Sequence, residues 1–138
     1  MKPISCVQRP VVITQGDVCG IGPEIIAKFF RSPASAGCLV LGDVAVMRRA
    51  AAWTGGMLAT AQIASAQDAF EVPPNCIPVL QTQGLSTSLM EAPVGRVDAR
   101  AGAAAAACIE QAVRMALLDQ VSAIVTAPVH KEALAAAG

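Results

Sequence analysis

The chain has 138 residues, 54% hydrophobic and only 14% charged, which is enough apolar material for one core and too little polar material for wholesale disorder. Ten basic residues balance ten acidic ones without a dense Lys/Arg cluster, which excludes the electrostatic footprint of a nucleic-acid or anionic-membrane binder and leaves small molecules as partners. Five cysteines, odd in number and never spaced Cys-x-x-Cys, read as reduced thiols of a cytoplasmic protein, and His130, the sole histidine, has no ligand-spaced partner for a metal.

The N-terminal Met1 to Cys6 carries one positive charge and runs into Gln8-Arg9-Pro10 before any apolar core of an export signal forms. Val11-Val12-Ile13-Thr14 is a short, β-branched run suited to a strand buried on both faces of a parallel sheet. Gln15 to Gly22 then turns, and Pro23 and Glu24 open a helix predicted to reach about Arg31. Cys38 to Leu41 repeats the buried-strand pattern, and Asp43 after Gly42 caps a helix from Val44 to about Trp53.

Gly55 to Arg96 is less regular. Pro73-Pro74 interrupts it, Cys76 to Gln81 is a candidate strand, and Leu85 to Met90 is a short second one. From Asp98 to Asp119, Ala101, Ala105, Cys108, Ile109, Ala112 and Ala116 recur at helical spacing and form a face that permits close packing. Ala103 to Ile109 falls far short of the roughly 20 residues that span a bilayer. Val121 to Thr126 is the next buried strand, and a helix from about Lys131 to Ala137 stops at Gly138. Phe29, Phe30 and Trp53 are assigned to the core, and Arg96, Asp98 and Arg100 to a solvated edge. Alternating strands and helices imply an α/β fold, a mostly parallel sheet with helices on both faces. The order stops on a helix directly after a strand, which suggests an incomplete domain.

Two segments can carry chemistry. In Gly16-Asp17-Val18-Cys19-Gly20-Ile21-Gly22-Pro23-Glu24, three glycines remove Cβ atoms where backbone must turn or approach a ligand, and the helix N-terminus offers amides to an anion. Gly20-x-Gly22-x-x-Ile25, with Asp43 about 20 residues on, supplies part of a dinucleotide fingerprint. Yet Ile25 stands where close packing calls for a small residue, and Pro23 removes one amide. Cys19 reads as a small buried filler, with a helix-activated thiol as the alternative. The second segment, Thr126-Ala127-Pro128-Val129-His130-Lys131, again follows a strand, so its hydroxyl, imidazole and ammonium point toward the end of the sheet where ligands bind.

Gly16 to Glu24 resembles the Gly-Asp-Pro-Ala-Gly-Ile-Gly-Pro-Glu signature of the 4-hydroxythreonine-4-phosphate dehydrogenase family of pyridoxal phosphate biosynthesis. Gly95-Arg96-Val97-Asp98, the alanine-rich helix and Thr126 to Leu134 with Ala137-Gly138 resemble the same family in the same order. The first element is also similar to that of isocitrate and isopropylmalate dehydrogenases. The resemblance implies the N-terminal part of a two-domain, isopropylmalate-dehydrogenase-like subunit, usually a homodimer. Residues 1–127 would be the first segment of a discontinuous domain and residues 128–138 the start of the connection to the second. It also implies oxidation of a phosphorylated hydroxy acid by NAD or NADP, then decarboxylation, with a divalent metal on the oxygen. The substrate would be 4-hydroxythreonine 4-phosphate or a related erythronate or threonate 4-phosphate.

Carried over by position, Gly16, Asp17, Gly20 and Gly22 would wall the cofactor side, Thr126 and His130 the substrate side, and Lys131 would be catalytic. No residue here matches a family metal ligand. Val18 and Cys19 replace the usual Pro-Ala, which loosens the turn. The chain stops short of the family's Gly-His-Thr-Glu motif, so it is expected to be inactive alone. The competing expectations are a self-contained Rossmann-like nucleotide-binding module without catalysis and a remnant that does not fold.

Overall fold

The computed structural model describes residues 6–138, and the part of the export-signal argument that rests on Met1 to Ser5 lies outside them. Val11–Thr14 forms strand β1, and the chain then turns into helix α1 over Gly22–Phe29. Cys38–Gly42 forms β2 and Val44–Trp53 forms α2, whose first turn is capped by the Asp43 carboxylate accepting from the Val46 amide at 3.0 Å. Ala59–Ile63 and Cys76–Gln81 form β3 and β4. Ala99–Leu117 is the long helix α3, followed by β5 over Ala123–Thr126 and α4 over Lys131–Ala137.

The five strands are all parallel, in the order β3-β4-β2-β1-β5. Strand periodicity divides the core into two layers. On one face, Ile13, Val40, Ile77 and Val79 pack against Ile26 and Ala27 of α1 and against Met47, Ala50 and Ala51 of α2. On the other, Val12, Leu39 and Leu41 pack against Ala112 and Met115 of α3. Each fully buried branched side chain contributes about 1.5–3 kcal/mol, and Val12, Leu39, Val40 and Leu41 are all inaccessible to water. A third cluster, Val18, Cys19, Val46, Leu89, Ala92, Ala101 and Ala104, sits above the sheet's C-terminal edge.

The structure corrects several expectations. Helix α1 ends at Phe29, with Phe30 as its cap, because the Arg31 and Ser32 amides close a tighter turn onto the Lys28 and Phe29 carbonyls. The stretch after Gly55 contains β3, whose small and polar sequence hides a strand held by pairing with β4. Leu85 to Met90 is no strand: it belongs to a strap, residues 82–98, with a 3₁₀ turn at Leu89–Glu91 that sinks Leu89 into the third cluster. Trp53 is 57% exposed, with the Arg49 guanidinium 5.0 Å over its ring, because it lies on the outer face of α2. The strand after α3 is an edge strand starting at Ala123 with Val125 half exposed, since among the described residues only β1 pairs with it. No helix among the described residues is long and apolar enough to cross a membrane.

Two interactions tie the N-terminal end of α3 to the fold. Asp98 caps α3 and forms a two-point ion pair with Arg100, 2.9 Å from Nε and 2.7 Å from Nη2, while Arg100 Nη1 also donates to the Ser88 carbonyl at 3.1 Å. Both side chains are too enclosed for a solvated edge, at 15% and 33% exposure. The hydrogen bonds from Arg100 hold the Asp98 carboxyl down at about 2. Gly102, one turn into α3, lets the α4 backbone lie directly on the helix: a Cβ there would overlap the Ala133 carbonyl oxygen.

Two outcomes follow. Gly102→Val must push α4 off α3 and cost about 1–3 kcal/mol in urea unfolding, despite valine's larger apolar surface. Because the folded pKa of Asp98 lies below its ordinary 3.8, its ionised form adds stability above that value and loses it as pH falls toward 2. Asp98→Asn keeps the cap and must flatten the acid limb of a stability–pH profile between those values.

Candidate active site

Helices α1 and α2 follow β1 and β2 onto one face, whereas α3 and α4 follow β4 and β5 onto the other. The adjacent strands β1 and β5 therefore send their connections to opposite sides. In an open parallel sheet such a reversal leaves a crevice outside the carboxyl ends of the strands, where ligands bind. Both chemistry-bearing segments lie at this one crevice.

They meet backbone to backbone. β1 and β5 run in register, with Thr14 beside Thr126, so the turn after one strand abuts the turn after the other. The Asp17 amide donates to the Pro128 carbonyl at 3.0 Å. Gly16, at φ +71°, comes so near that a Cβ would overlap the same oxygen, and a Cβ on Gly22 would lie 2.6 Å from the Gln15 carbonyl oxygen and 3.3 Å from the Ala127 methyl. Gly20 is exposed at the rim.

The carboxylate of Asp17 is 94% buried by its residue's exposure of 6% and accepts from the Cys19 amide at 2.8 Å, so it shapes the turn from within. The turn is clipped from outside as well. Arg49 reaches the Val18 carbonyl at 3.4 Å and the Met90 carbonyl at 3.5 Å, and the Gly95 amide of the strap donates to the Cys19 carbonyl at 2.7 Å. Cys19 is buried in the third cluster, and burial, with the charges of Asp17 and Asp98, pushes its thiol up, which favours the small-filler reading over an activated thiol.

Thr126, His130 and Lys131 are exposed on the β5 side of the crevice, His130 as the residue preceding α4 and Lys131 as its first residue. The structure brings their segment against Gly16, Asp17 and Gly22. It forms no ion pair or side-chain hydrogen bond for His130 or Lys131 among the described residues, which leaves both groups open to a ligand. Among the described residues no three His, Cys, Asp or Glu side chains converge as a metal site, so the residues present do not by themselves fit a metal.

Several contributors escaped sequence reasoning. The fully buried Gln15 accepts from the Asp43 amide at 2.8 Å, and Gln81 bridges Asp43 Oδ2 at 3.0 Å and the Val44 amide at 2.9 Å, lacing together the ends of β1, β2 and β4. Gly42 leaves room for the Gln15 side chain. Glutamines at strand ends carry no motif, and only their convergence identifies them. A hollow of about 640 Å³ lies at the opposite end of the sheet around Gly37, Cys38, Asn75 and Cys76. Its one cation, Arg31, is turned to the C-terminal end of α2, at Thr54 Oγ1 (3.2 Å) and the Ala51 carbonyl (3.4 Å), so charge and topology both favour the β1/β5 crevice.

The fold and crevice define an open, parallel α/β domain with a ligand crevice outside the carboxyl ends of its strands. Residues 34–138 match the family described as pyridoxal phosphate biosynthetic protein PdxA, and the chain belongs to that family. It is 42% identical over 132 residues to a 4-hydroxythreonine-4-phosphate dehydrogenase of Beijerinckia indica, covering 94% of this chain and 38% of the relative. It is 36% identical over 134 residues to the D-threonate 4-phosphate dehydrogenase of Salmonella typhimurium, covering 94% and 40%. A crystal structure of 4-hydroxythreonine-4-phosphate dehydrogenase from Klebsiella pneumoniae superposes with a TM-score of 0.83 at 36% identity over 94% of this chain and 40% of that one. A terephthalate 1,2-cis-dihydrodiol dehydrogenase from Burkholderia xenovorans gives 0.70 at 30% identity, covering 93% and 36%. The chain thus spans about two fifths of the length of these relatives.

Gly16→Ala tests the junction of the two turns. The substitution must cost about 1–3 kcal/mol, through the left-handed backbone and the overlap with Pro128, and must accelerate hydrogen exchange at the Asp17 amide.

Proposed function

We propose that the chain supplies one wall of the active site of an NAD- or NADP-dependent dehydrogenase that oxidises, then decarboxylates, a phosphorylated hydroxy acid. The substrate is 4-hydroxythreonine 4-phosphate or threonate or erythronate 4-phosphate, in pyridoxal phosphate biosynthesis or sugar-acid breakdown. The observation that carries this reading is the contact of the Gly16–Gly22 turn with the Thr126–Lys131 segment. It puts a glycine-rich wall able to admit a cofactor beside a hydroxyl, an imidazole and an ammonium that have no side-chain partner among the described residues.

In this reading Gly16, Asp17, Gly20 and Gly22 form the cofactor side, the first two by holding the turn and the last two by keeping its surface low. A nicotinamide held against this turn would supply the hydride acceptor that oxidation of the secondary alcohol needs. Thr126 and His130 orient the substrate by hydrogen bonds, and the Lys131 ammonium holds or moves a proton at the reacting oxygen. A divalent metal would be held by residues elsewhere in a full-length subunit, and no step is assigned to it. Residues 1–127 then belong to the first segment of a discontinuous domain and 128–138 to the connection toward a second, in a cytoplasmic homodimer. The chain alone is inactive and binds the dinucleotide weakly.

The test grafts this chain in place of the matching segment of the Salmonella typhimurium D-threonate 4-phosphate dehydrogenase and follows NAD reduction with each of the three substrates. The graft must turn over. Lys131→Ala must lower kcat by roughly a hundredfold or more, and Thr126→Ala must chiefly raise KM. An inactive graft, combined with tight NAD binding by the chain alone, would replace this reading with that of a self-contained nucleotide-binding module.

A further inference from the structure

The sheet reverses a second time. β2 sends its connection to α2 on one face while its neighbour β4 sends the strap toward α3 on the other, so a second crevice opens outside their carboxyl ends. A cleft of about 350 Å³ occupies that place, lined by Asp43 and Gln81 at the strand ends and by Thr82, Ser86, Thr87 and Met90 of the strap. Its position follows from topology, and the hollow is independent of that argument.

The chemistry of the lining is one-sided. It presents a carboxylate, an amide and three hydroxyls, with no Lys, Arg or His. Of the first three amides of α2, Val44 is spent on Gln81 and Val46 on Asp43, and the Ala45 amide lies beside the Asp43 carboxylate, whose charge opposes an anion there. Each Asp43 oxygen accepts one bond, from Val46 or from Gln81, and keeps a second acceptor position. Among the described residues the Thr87 hydroxyl has no side-chain hydrogen bond. A carboxylate with acceptor positions to spare beside the one free hydroxyl, Thr87, suits an uncharged, hydroxyl-bearing ligand and disfavours a phosphate.

The two crevices are two strand spacings apart, about 10 Å. One strap walls both, since Leu85 and Leu89 line the cleft and also pack on Val18 and Cys19 of the first turn. We infer that the β2/β4 cleft is a subsite for a sugar ring of the same extended ligand that enters the β1/β5 crevice, with Asp43 and Thr87 bonding ring hydroxyls. The inference rests on the dinucleotide reading above and adds to it the placement of a ribose.

The test is a nuclear magnetic resonance titration of the 138-residue chain with NAD, with inorganic pyrophosphate as the sugar-free comparison. NAD must move the amides of Ala45 and Thr87 together with those of Gly20 and Gly22, whereas pyrophosphate must leave Ala45 and Thr87 in place. Thr87→Val, at an exposed position outside every helix and strand, must weaken NAD roughly three- to tenfold, the loss of one hydrogen bond. Movement of Gly20 and Gly22 alone would overturn the subsite and leave the dinucleotide reading standing. Silence of both sets at millimolar NAD would also overturn it, and the dinucleotide reading would then be decided by turnover of the graft.

Discussion

The approach of the Gly16–Asp17 backbone to the Pro128 carbonyl is the constraint on which the site depends. Parallel pairing of β1 with β5 brings two turns, more than a hundred residues apart in the chain, to the same end of the sheet. Only a residue without a side chain leaves room for the second turn, and Gly16 also adopts a left-handed backbone that other residues resist. The Asp17 carboxylate, held by the Cys19 amide, then completes the turn from inside. A signature that reads as a ligand loop is thus first a solution to a packing problem. Whatever enters the crevice meets a surface whose shape that packing has already set.

Around this junction the fold adds supports that share no motif. Arg49 bonds two carbonyls from different loops while its guanidinium covers Trp53, so one side chain holds α2, the first turn and the strap together. Gln15 and Gln81 perform the same task beneath the surface, where a backbone amide without a partner would carry a desolvation cost of about 1–3 kcal/mol. The Asp98–Arg100 pair anchors the far end of the strap to α3 and to the Ser88 carbonyl. These contacts make the rim of the sheet a connected polar layer above a two-sided apolar core.

Much of the fold was legible in the residues. The continuously apolar runs at Val11 and Cys38, the Asp43 cap and the alanine face of α3 each identify an element, because burial on both faces and helix periodicity leave direct marks on sequence. β3 was not legible, since Ala59 to Gln62 carries small and polar residues whose strand geometry comes from pairing with β4. Leu85 and Leu89 look like strand residues because apolar side chains in a strap that covers a cluster carry the same pattern in sequence. Trp53 misled for a related reason: a large aromatic can stay outside when a guanidinium and its own helix cover one ring face.

The sequence by itself determined the class of fold, the family signatures at Gly16–Glu24 and Thr126–Lys131, and the lack of an electrostatic footprint for a nucleic acid or membrane, because these depend on local residue type and spacing. Tertiary structure alone decided that the two signatures touch, that Cys19 is a buried and weakly acidic thiol, and that Asp43, Gln81 and Thr87 share a cleft. Each of those depends on strand order, and strand order is set by which faces must be buried together, a property of the whole sheet that no stretch of the chain records.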